Sequence, residues 1–305
     1  MPFHPFLQRA LRSACWRLCS RFREEFSAAD RVALTNQLEV LQRQLQEAQQ
    51  QAATLRGEAD GLRHLLTQVK VPPMLVSTMP KSGTYFISKM LSQGLQVSER
   101  IIANQYFPYD RIRFPEMKKL FEEGGVSQDH FDAHPFNLTM LGHYFDRIVV
   151  QVRDPRQATL SWVHFVEDFK ISEETYKFIF PVLPSGFFQQ TLQQRLDWAV
   201  EHWLPLLVEW TQGWVDAAAQ GPLKVKITRF EDMIVDENAF FDDLLNFFGV
   251  PQGRFMRPAI ARDAATHFRK GEVNEWREVF TPAQAKAAKR HIPPDLAARF
   301  GWPLD

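Results

Sequence analysis

The sequence has little cysteine, no net charge and no long apolar run. Its 305 residues include only two cysteines, too few for a disulfide framework. Lysine and arginine together number 36, as do aspartate and glutamate, so the chain as a whole does not attract polyanions. We therefore expect a reducing, cytoplasmic environment, no nucleic-acid partner, and charge recognition only at local sites.

Residues 1–30 form the first of three predicted segments. Its apolar residues are interrupted by five arginines: Arg9, Arg12, Arg17, Arg21 and Arg23. This excludes both a signal-peptide core and a membrane span of about 20 apolar residues. As a helix the segment would be basic and amphipathic, and would either lie on a membrane surface or pack as an ordinary N-terminal helix. Cys15 and Cys19 would share one face of it, as an idle pair, a lipidation site or an inter-chain disulfide.

Residues 31–70 carry a heptad pattern of apolar residues. The repeating positions alternate four- and three-residue spacings: Leu34, Leu38, Leu41, Leu45, Ala48, Ala52, Leu55, Ala59, Leu62, Leu66 and Val69. About five repeats predict a coiled coil, ended by Val71-Pro72-Pro73. Self-association into a homo-oligomer is the simplest pairing, although the helix could instead fold back on the rest of the chain.

Residues 71–305 alternate predicted strands with helix-compatible segments. The three apolar runs are Met74 to Thr78, Arg147 to Val152 and Leu223 to Thr228. This alternation predicts an α/β fold, a three-layer sandwich with a central parallel sheet covered by helices. Ligands of such sheets bind beyond the carboxyl ends of the strands.

The first of these strands runs into "VSTMPKSGTYFISKML", residues 76–91. A helix that begins after this loop presents unpaired amides and a partial positive charge, and Lys81 adds a full one. Gly83 permits close approach of the backbone to a ligand. The junction predicts a P-loop-like phosphate site, although the triphosphatase pattern G-x-x-x-x-G-K-[ST] is absent.

Two further stretches have residues suited to phosphate. In "VVQVRDPRQATLSWVHF", Arg153 follows the second strand and Ser161 lies eight residues later. In "HFRKGEVNEW", Arg269 and Lys270 precede Gly271. Arginine suits bidentate phosphate contacts, so two separate cationic cradles predict a ligand with two anionic ends.

The three stretches, in this order, resemble the sulfotransferases that use 3′-phosphoadenosine 5′-phosphosulfate (PAPS), and "RFEDM" (229–233) adds to the resemblance. The resemblance covers most of residues 73–290. It implies that one set of residues holds the 5′-phosphosulfate end: Lys81, Ser82, Gly83, Thr84 and Tyr85. It implies that another holds the 3′-phosphate: Arg153, Ser161, Arg269, Lys270 and Gly271. Phe86 stands where the family usually has an adenine-stacking tryptophan, and Asn274-Glu275-Trp276 replaces the usual Gly-Asp-Trp.

The resemblance also implies a reaction. A sulfuryl group would pass from PAPS to a hydroxyl or amine acceptor, Lys81 would stabilise the leaving phosphate, and no metal is expected. In this family, a histidine that acts as general base follows the middle strand. Of His130, His134 and His143 we favour His134, because "AHPF" resembles the family's Thr-His-Leu-Pro segment and a neutral imidazole is a competent base near pH 7.

The acceptor is less constrained by the sequence. An aromatic-rich stretch at 165–190 predicts either an apolar lid over a small or amphiphilic acceptor or ordinary core packing. Two alternatives to a sulfotransferase remain. One is a nucleotide-dependent kinase, and the other is a non-catalytic coiled-coil scaffold with a degenerate nucleotide-binding domain.

Overall fold

This computed structural model describes residues 28–67, 69–104, 107–168, 183–221, 223–251, 253–260 and 271–304. The basic N-terminal segment up to residue 27, with both cysteines, lies outside the described residues. So do Arg269, Lys270 and half of the predicted lid. The chain divides into two compact units, residues 1–65 and 66–305, and each has its own architecture.

The described part of the first unit belongs to one helix, α1 (Ala28–Thr67), of 40 residues. The heptad pattern predicts such a helix. It ends at Thr67, three residues before the predicted boundary at 70 and shortly before the two prolines. Leu38, Leu41 and Leu45 are about 60% exposed. Pairing of this helix as a coiled coil stays a prediction.

The second unit is built on short parallel strands: β1 (Pro73–Met74), β2 (Val76–Thr78), β3 (Glu99–Arg100), β4 (Gly125–Ser127), β5 (Arg147–Val152) and β6 (Lys224–Arg229). They pair in the orders β1-β4-β3 and β2-β5-β6. Only Leu75 separates β1 from β2, and Ser77 forms a parallel bridge with Asp129. The two sets of strands are therefore joined side by side. The resulting order is β3, β4, β1/β2, β5, β6.

Helices cover both faces of these strands, as predicted for a three-layer α/β fold. Along β5, Ile148, Val150 and Val152 enter one core whereas Val149 enters the other. The Val149 side is covered by α2 (Thr84–Leu95), α8 (Phe230–Val235) and α9 (Glu237–Phe248). The opposite side is covered by α3 (Phe114–Glu123), α4 (Pro135–Tyr144), α5 (Pro155–Asp168), α6 (Leu192–His202), α7 (Leu204–Gln220), α10 (Trp276–Val279), α11 (Pro282–His291) and α12 (Pro294–Phe300).

This arrangement locates the ligand crevice. The helix after β2, α2, covers one face, and the helix after β5, α5, covers the other. Neighbouring strands whose connections leave in opposite directions open a crevice at their carboxyl ends. Thr78 and Val152 end the two strands, so the crevice lies above these residues.

Several aromatic residues in and around the 165–190 stretch belong to the core. Trp162 stacks on Trp203 with ring centroids 4.3 Å apart, and Phe187 is fully buried with its ring 5.4 Å from that of Trp198. For these residues core packing, rather than a lid, is the arrangement found. None of the described helices is both long and apolar enough to cross a bilayer.

Candidate active site

The loop between β2 and α2 forms a concave backbone surface at the crevice. Lys81 and Gly83 both have left-handed backbone conformations, with φ of 68° and 92°. Alternating left-handed residues turn neighbouring amides toward one point, the geometry of an anion-binding nest. Helix α2 begins directly after, at Thr84, so its first amides and its positive dipole end reach the same place.

Close packing fixes the conformation of this loop. A Cβ atom on Gly83 would lie 2.9 Å from Met233 Cε and 3.3 Å from the Phe230 ring, and its φ of 92° is one that residues with side chains rarely adopt, so the position favours glycine. Ser82 is fully buried, and its hydroxyl donates to the Met79 carbonyl at 2.7 Å. This hydroxyl therefore closes the turn, and contact of Ser82 with a phosphate stays a prediction.

Tyr85 and Phe86 follow on the first turn of α2, and both are partly buried. The Phe86 ring meets the Phe241 ring edge-on, with centroids 6.1 Å apart. The ammonium of Lys89 lies 5.4 Å from the Tyr85 ring centroid. Phe86 thus sits on the side of the sheet covered by α9, where an aromatic face can border a flat ligand.

Arg153 joins all three predicted phosphate motifs. Its guanidinium donates to the Lys81 carbonyl at 2.7 Å and to the Glu272 carbonyl at 2.6 Å. It also lies 4.0 Å from the centroid of the Phe230 ring. Gly271, beside Glu272, has the left-handed φ of 71° that a cradle needs. The crevice therefore gathers the first motif, the second motif and the described end of the third.

A buried network braces the turn that carries Arg153. Arg156 is 2% exposed and donates to both carboxylate oxygens of Asp154, at 2.9 and 2.7 Å. Its guanidinium also covers the Trp276 ring at 4.0 Å and bonds the Pro303 carbonyl. The Asp154 amide donates to Glu231 Oε1 at 2.9 Å, and burial raises the pKa of Glu231. The sequence gives no sign of this network, because its partners are far apart in the chain.

Helix α5 brings two further side chains toward the loop. The Lys81 ammonium lies 4.0 Å from the centroid of the Phe165 ring, a cation–π contact. Ser161, four residues earlier, lies on the same face of α5 and is buried. Lys81, Phe165 and Ser161 therefore belong to one corner of the crevice.

His130 lies against the end of β2. Its Nδ1 is 2.6 Å from the Thr78 carbonyl oxygen. Because a carbonyl can only accept, Nδ1 carries the hydrogen and Nε2 holds the lone pair of the neutral ring. Thr78 Oγ1 is also 2.7 Å from Thr84 Oγ1, which links the imidazole to the start of α2. The indole Nε1 of Trp210 donates to the His130 carbonyl at 3.2 Å and holds the backbone in place.

The electrostatic environment keeps His130 neutral. Burial is the largest influence and lowers its pKa, and the nearby Lys81 charge lowers it further. The carboxylate of Asp110 and the hydrogen bond to Thr78 act in the opposite direction without reversing the shift. A neutral imidazole can accept a proton near pH 7.

His134, the base favoured from the sequence, occupies a different kind of position. It is exposed and caps α4, its Nδ1 accepting from the Phe136 amide at 3.2 Å. His143, in the last turn of α4, is also exposed and packs against Tyr144. The structure brings His130 to the loop and leaves the other two histidines on α4.

A second unusual titratable group stands beside His130. Asp129 is fully buried, and its Oδ1 accepts from the amides of Ile102 and Ala103 at 3.1 and 2.8 Å. Burial raises the pKa of Asp129 to about 7, against the lowering effect of these amides. Its side chain ties the segment after β3 to the end of β4.

The family model for the sulfotransferase domain matches residues 72–299. This is most of the chain and nearly the whole second unit. The chain belongs to the sulfotransferase family. Sulfuryl transfer is therefore the class of reaction that this domain serves, and PAPS is the donor that sulfotransferases normally use.

Similar proteins are distant in sequence. A 3-alpha-hydroxysteroid sulfotransferase of Cavia porcellus is 22% identical over 255 residues, 72% of this chain and 82% of the relative. Two solved sulfotransferases are each 16% identical. The mouse protein SULT7A1, complexed with PAP, aligns over 73% of this chain and 84% of its own with a TM-score of 0.49. The Alicyclobacillus acidocaldarius protein aligns over 77% and 98% with a TM-score of 0.47.

Metal-ligating groups do not cluster in the described part of this sulfotransferase. Within it, no three His, Cys, Asp or Glu side chains are grouped so as to hold a metal ion. The crevice instead brings together Lys81, Arg153 and the amides of the loop, which suit an anionic ligand directly.

Proposed function

We propose that this protein transfers a sulfuryl group from PAPS to a hydroxyl or amine acceptor. The observation that carries the proposal is the position of Arg153, whose guanidinium bonds the Lys81 carbonyl and the Glu272 carbonyl at once. The loop that suits one anionic end of a nucleotide and the segment that suits the other thus meet at a single side chain.

The residues divide between the two ends of the donor. The nest from Lys81 to Tyr85 would hold the 5′-phosphosulfate, with Gly83 and Thr84 supplying amides at the start of α2. Arg153, Ser161 and Gly271, with Arg269 and Lys270 beyond the described residues, would hold the 3′-phosphate. Phe86 and its neighbour Phe241 would border the adenine. The cradle fits such a ligand because the left-handed Lys81 and Gly83 turn neighbouring amides toward one point, as an anion requires.

Lys81 is the residue we assign to the leaving phosphate. Sulfuryl transfer resembles phosphoryl transfer in requiring in-line positioning and stabilisation of developing negative charge. The Lys81 ammonium rests on the face of Phe165, beside the nest, in a weak contact that an anion can outcompete.

His130 is the residue we assign as general base, in place of His134. Its Nδ1 hydrogen is committed to Thr78, so Nε2 is the atom that would take the acceptor's proton. The acceptor oxygen or nitrogen forms a bond to sulfur, the bond from sulfur to the 5′-phosphate oxygen breaks, and the proton passes to Nε2. The bonding of Thr78 to both His130 and Thr84 supports this assignment, since it joins the imidazole to the donor loop.

The acceptor class follows from the surroundings of Lys81. Phe165 is partly exposed, and Trp162 and Trp203 are buried aromatic residues of the same core. The apolar surface that Phe165 presents beside Lys81 suits a small or amphiphilic alcohol or amine. A panel of such acceptors with isotopically labelled donor would identify the preferred compound.

Ligand-dependent stabilisation tests the donor site separately from catalysis. We expect 3′,5′-diphosphoadenosine at 100 times its Kd to stabilise the protein by about 2.7 kcal/mol, measured as a rise in Tm. Arg153→Ala should weaken this binding at least about tenfold, since a buried charged contact is lost. Arg290→Ala is the matched control, because its exposed pair with Glu201 contributes little.

Each alternative function predicts a different result. A kinase would respond to ATP with magnesium more strongly than to 3′,5′-diphosphoadenosine. A scaffold with a degenerate site would show no ligand-dependent shift and no transfer of label. Either outcome would overturn the proposal, and so would equal binding by the Arg153 and Arg290 variants.

A further inference from the structure

Helix α1 exposes a continuous apolar stripe, which is independent of the donor site. Leu38, Leu41, Leu45 and Leu55 are 58%, 62%, 60% and 64% exposed. With Ala48 and Ala52 they follow alternating three- and four-residue spacings, so all lie along one side of the helix. We call this stripe, from Leu34 to Leu55, the seam.

Packing of the seam should supply much of the stability of α1. Helices in proteins gain most of their stability from packing of an apolar face, and α1 includes Gly57 and Gly61, which disfavour helix formation. Neither glycine has another atom near the position of its missing Cβ. We therefore expect a partner that packs on the leucines of the seam along several helical turns.

The spacing of the seam identifies the geometry of that partner. A repeat of seven residues in two turns drifts around a straight helix, and stays in contact only with another helix that supercoils with it. The same pattern continues in the sequence to Leu62 and Leu66. The partner is thus a helix with a matching heptad repeat.

The residues that flank the seam favour a second copy of this chain. Coiled-coil helices that avoid self-pairing carry charges of one sign beside the seam. Here the flanking positions of the first heptads are uncharged: Gln37, Gln44 and Gln51 on one side, Gln42 and Gln49 on the other. Two identical helices meet without repulsion along this part of the seam.

Small residues in the seam limit the number of helices. Ala48 and Ala52 fill little space, so a bundle of three or four helices would leave a void at its centre at this level. Two helices can approach closely there. We propose that the seam pairs with the seam of a second copy, making the protein a homodimer through α1.

Molar mass measured by light scattering during gel filtration tests the dimer on the full chain. We expect a mass of about twice 35.5 kDa at micromolar concentration. The double variant Leu38→Glu, Leu45→Glu places like charges opposite each other in the seam, and should elute at the monomer mass. Donor-site stabilisation by 3′,5′-diphosphoadenosine should be unchanged in this variant, which shows that the second unit is folded.

The matched control carries the same two charges on another face. Gln46 and Ala53 are exposed residues of α1, seven apart and outside the seam. Gln46→Glu with Ala53→Glu should keep the dimer mass and the helix signal in circular dichroism. A monomeric parent protein, a parent mass of three or more chains, or a seam variant that remains dimeric would each overturn the proposal.

Discussion

At the scale of single residues, His130 and His134 form a natural pair for testing catalysis. His130→Ala should lower kcat by about 10²–10⁴-fold, the usual contribution of a general base, because the variant lacks the atom that takes the acceptor proton. His134→Ala should leave kcat nearly unchanged and cost only the helix cap of α4. Steady-state transfer of labelled sulfate measures both.

The pH dependence of kcat provides a second readout of the same assignment. Burial lowers the pKa of His130, so the ring stays neutral to lower pH than an ordinary histidine. Activity should rise with pH through a pKa below about 6.5 and then stay level through neutrality. Loss of activity in His134→Ala with near-normal turnover in His130→Ala would return the base to the position favoured from the sequence.

These two histidines also show where sequence reasoning reaches its limit. Identifying the base requires knowing which strand ends beside the donor loop. That strand, β4, has only three residues, Gly125–Ser127, and so carries no recognisable apolar alternation. The local "AHPF" pattern favours His134, whereas the contact of His130 with Thr78 that supports the other assignment is visible only after folding.

At the scale of elements, the longer pieces could be predicted and the short ones could not. Strand β5 spans the predicted residues, Arg147–Val152, because five of its six residues are buried and four of these are apolar. The loop before α2 could be predicted, because Lys81 and Gly83 precede a helical pattern. The sequence does not predict strands β3 and β4, since strands of two or three residues are held by pairing with their neighbours rather than by their own propensity.

The start of α2 offers a test of the donor loop as an element. Gly83→Ala forces a side chain into a left-handed conformation and toward Met233, so we expect a loss of about 1–2 kcal/mol or more in the free energy of unfolding. Binding of 3′,5′-diphosphoadenosine should weaken further, because the amides move. Chemical denaturation and ligand titration measure the two effects.

A glycine in an ordinary helical position is the control. Gly142 lies in α4, and nothing lies within 4 Å of the point that a Cβ atom would occupy there. Gly142→Ala should therefore stabilise the protein by about 0.5–1 kcal/mol. Its ligand binding should match that of the parent. A Gly83 variant that binds and folds normally would mean that the loop does not depend on this backbone conformation.

At the scale of the whole molecule, Asp129 links stability to pH. Its pKa in the folded protein is about 7, raised by burial, and about 3.9 in an unfolded chain. Between these values the folded state binds more protons, so the contribution of Asp129 to stability is present below pH 4 and is lost as pH rises through 7.

Asp129→Asn should remove this dependence while keeping an oxygen for the amides of Ile102 and Ala103. Relative to the variant, the parent should become less stable as the pH rises. The difference between their free energies of unfolding should fall by about 1.4 kcal/mol for each pH unit between the two pKa values. Urea denaturation across this range measures it. Asp146→Asn is the control: Arg147 lowers the pKa of this exposed group, so any change should have the opposite sign. A difference for Asp129→Asn that does not vary with pH would contradict the assignment.

The bond from Arg156 to the Pro303 carbonyl has a consequence for biosynthesis. The two residues are 147 positions apart, and Arg229 bonds the Phe300 carbonyl in a similar way. As a nascent chain leaves the ribosome, the turn bearing Arg153 emerges long before these acceptors do. The crevice at the ends of β2 and β5 therefore reaches its final form only once residues 300–303 have been made, after the central strands.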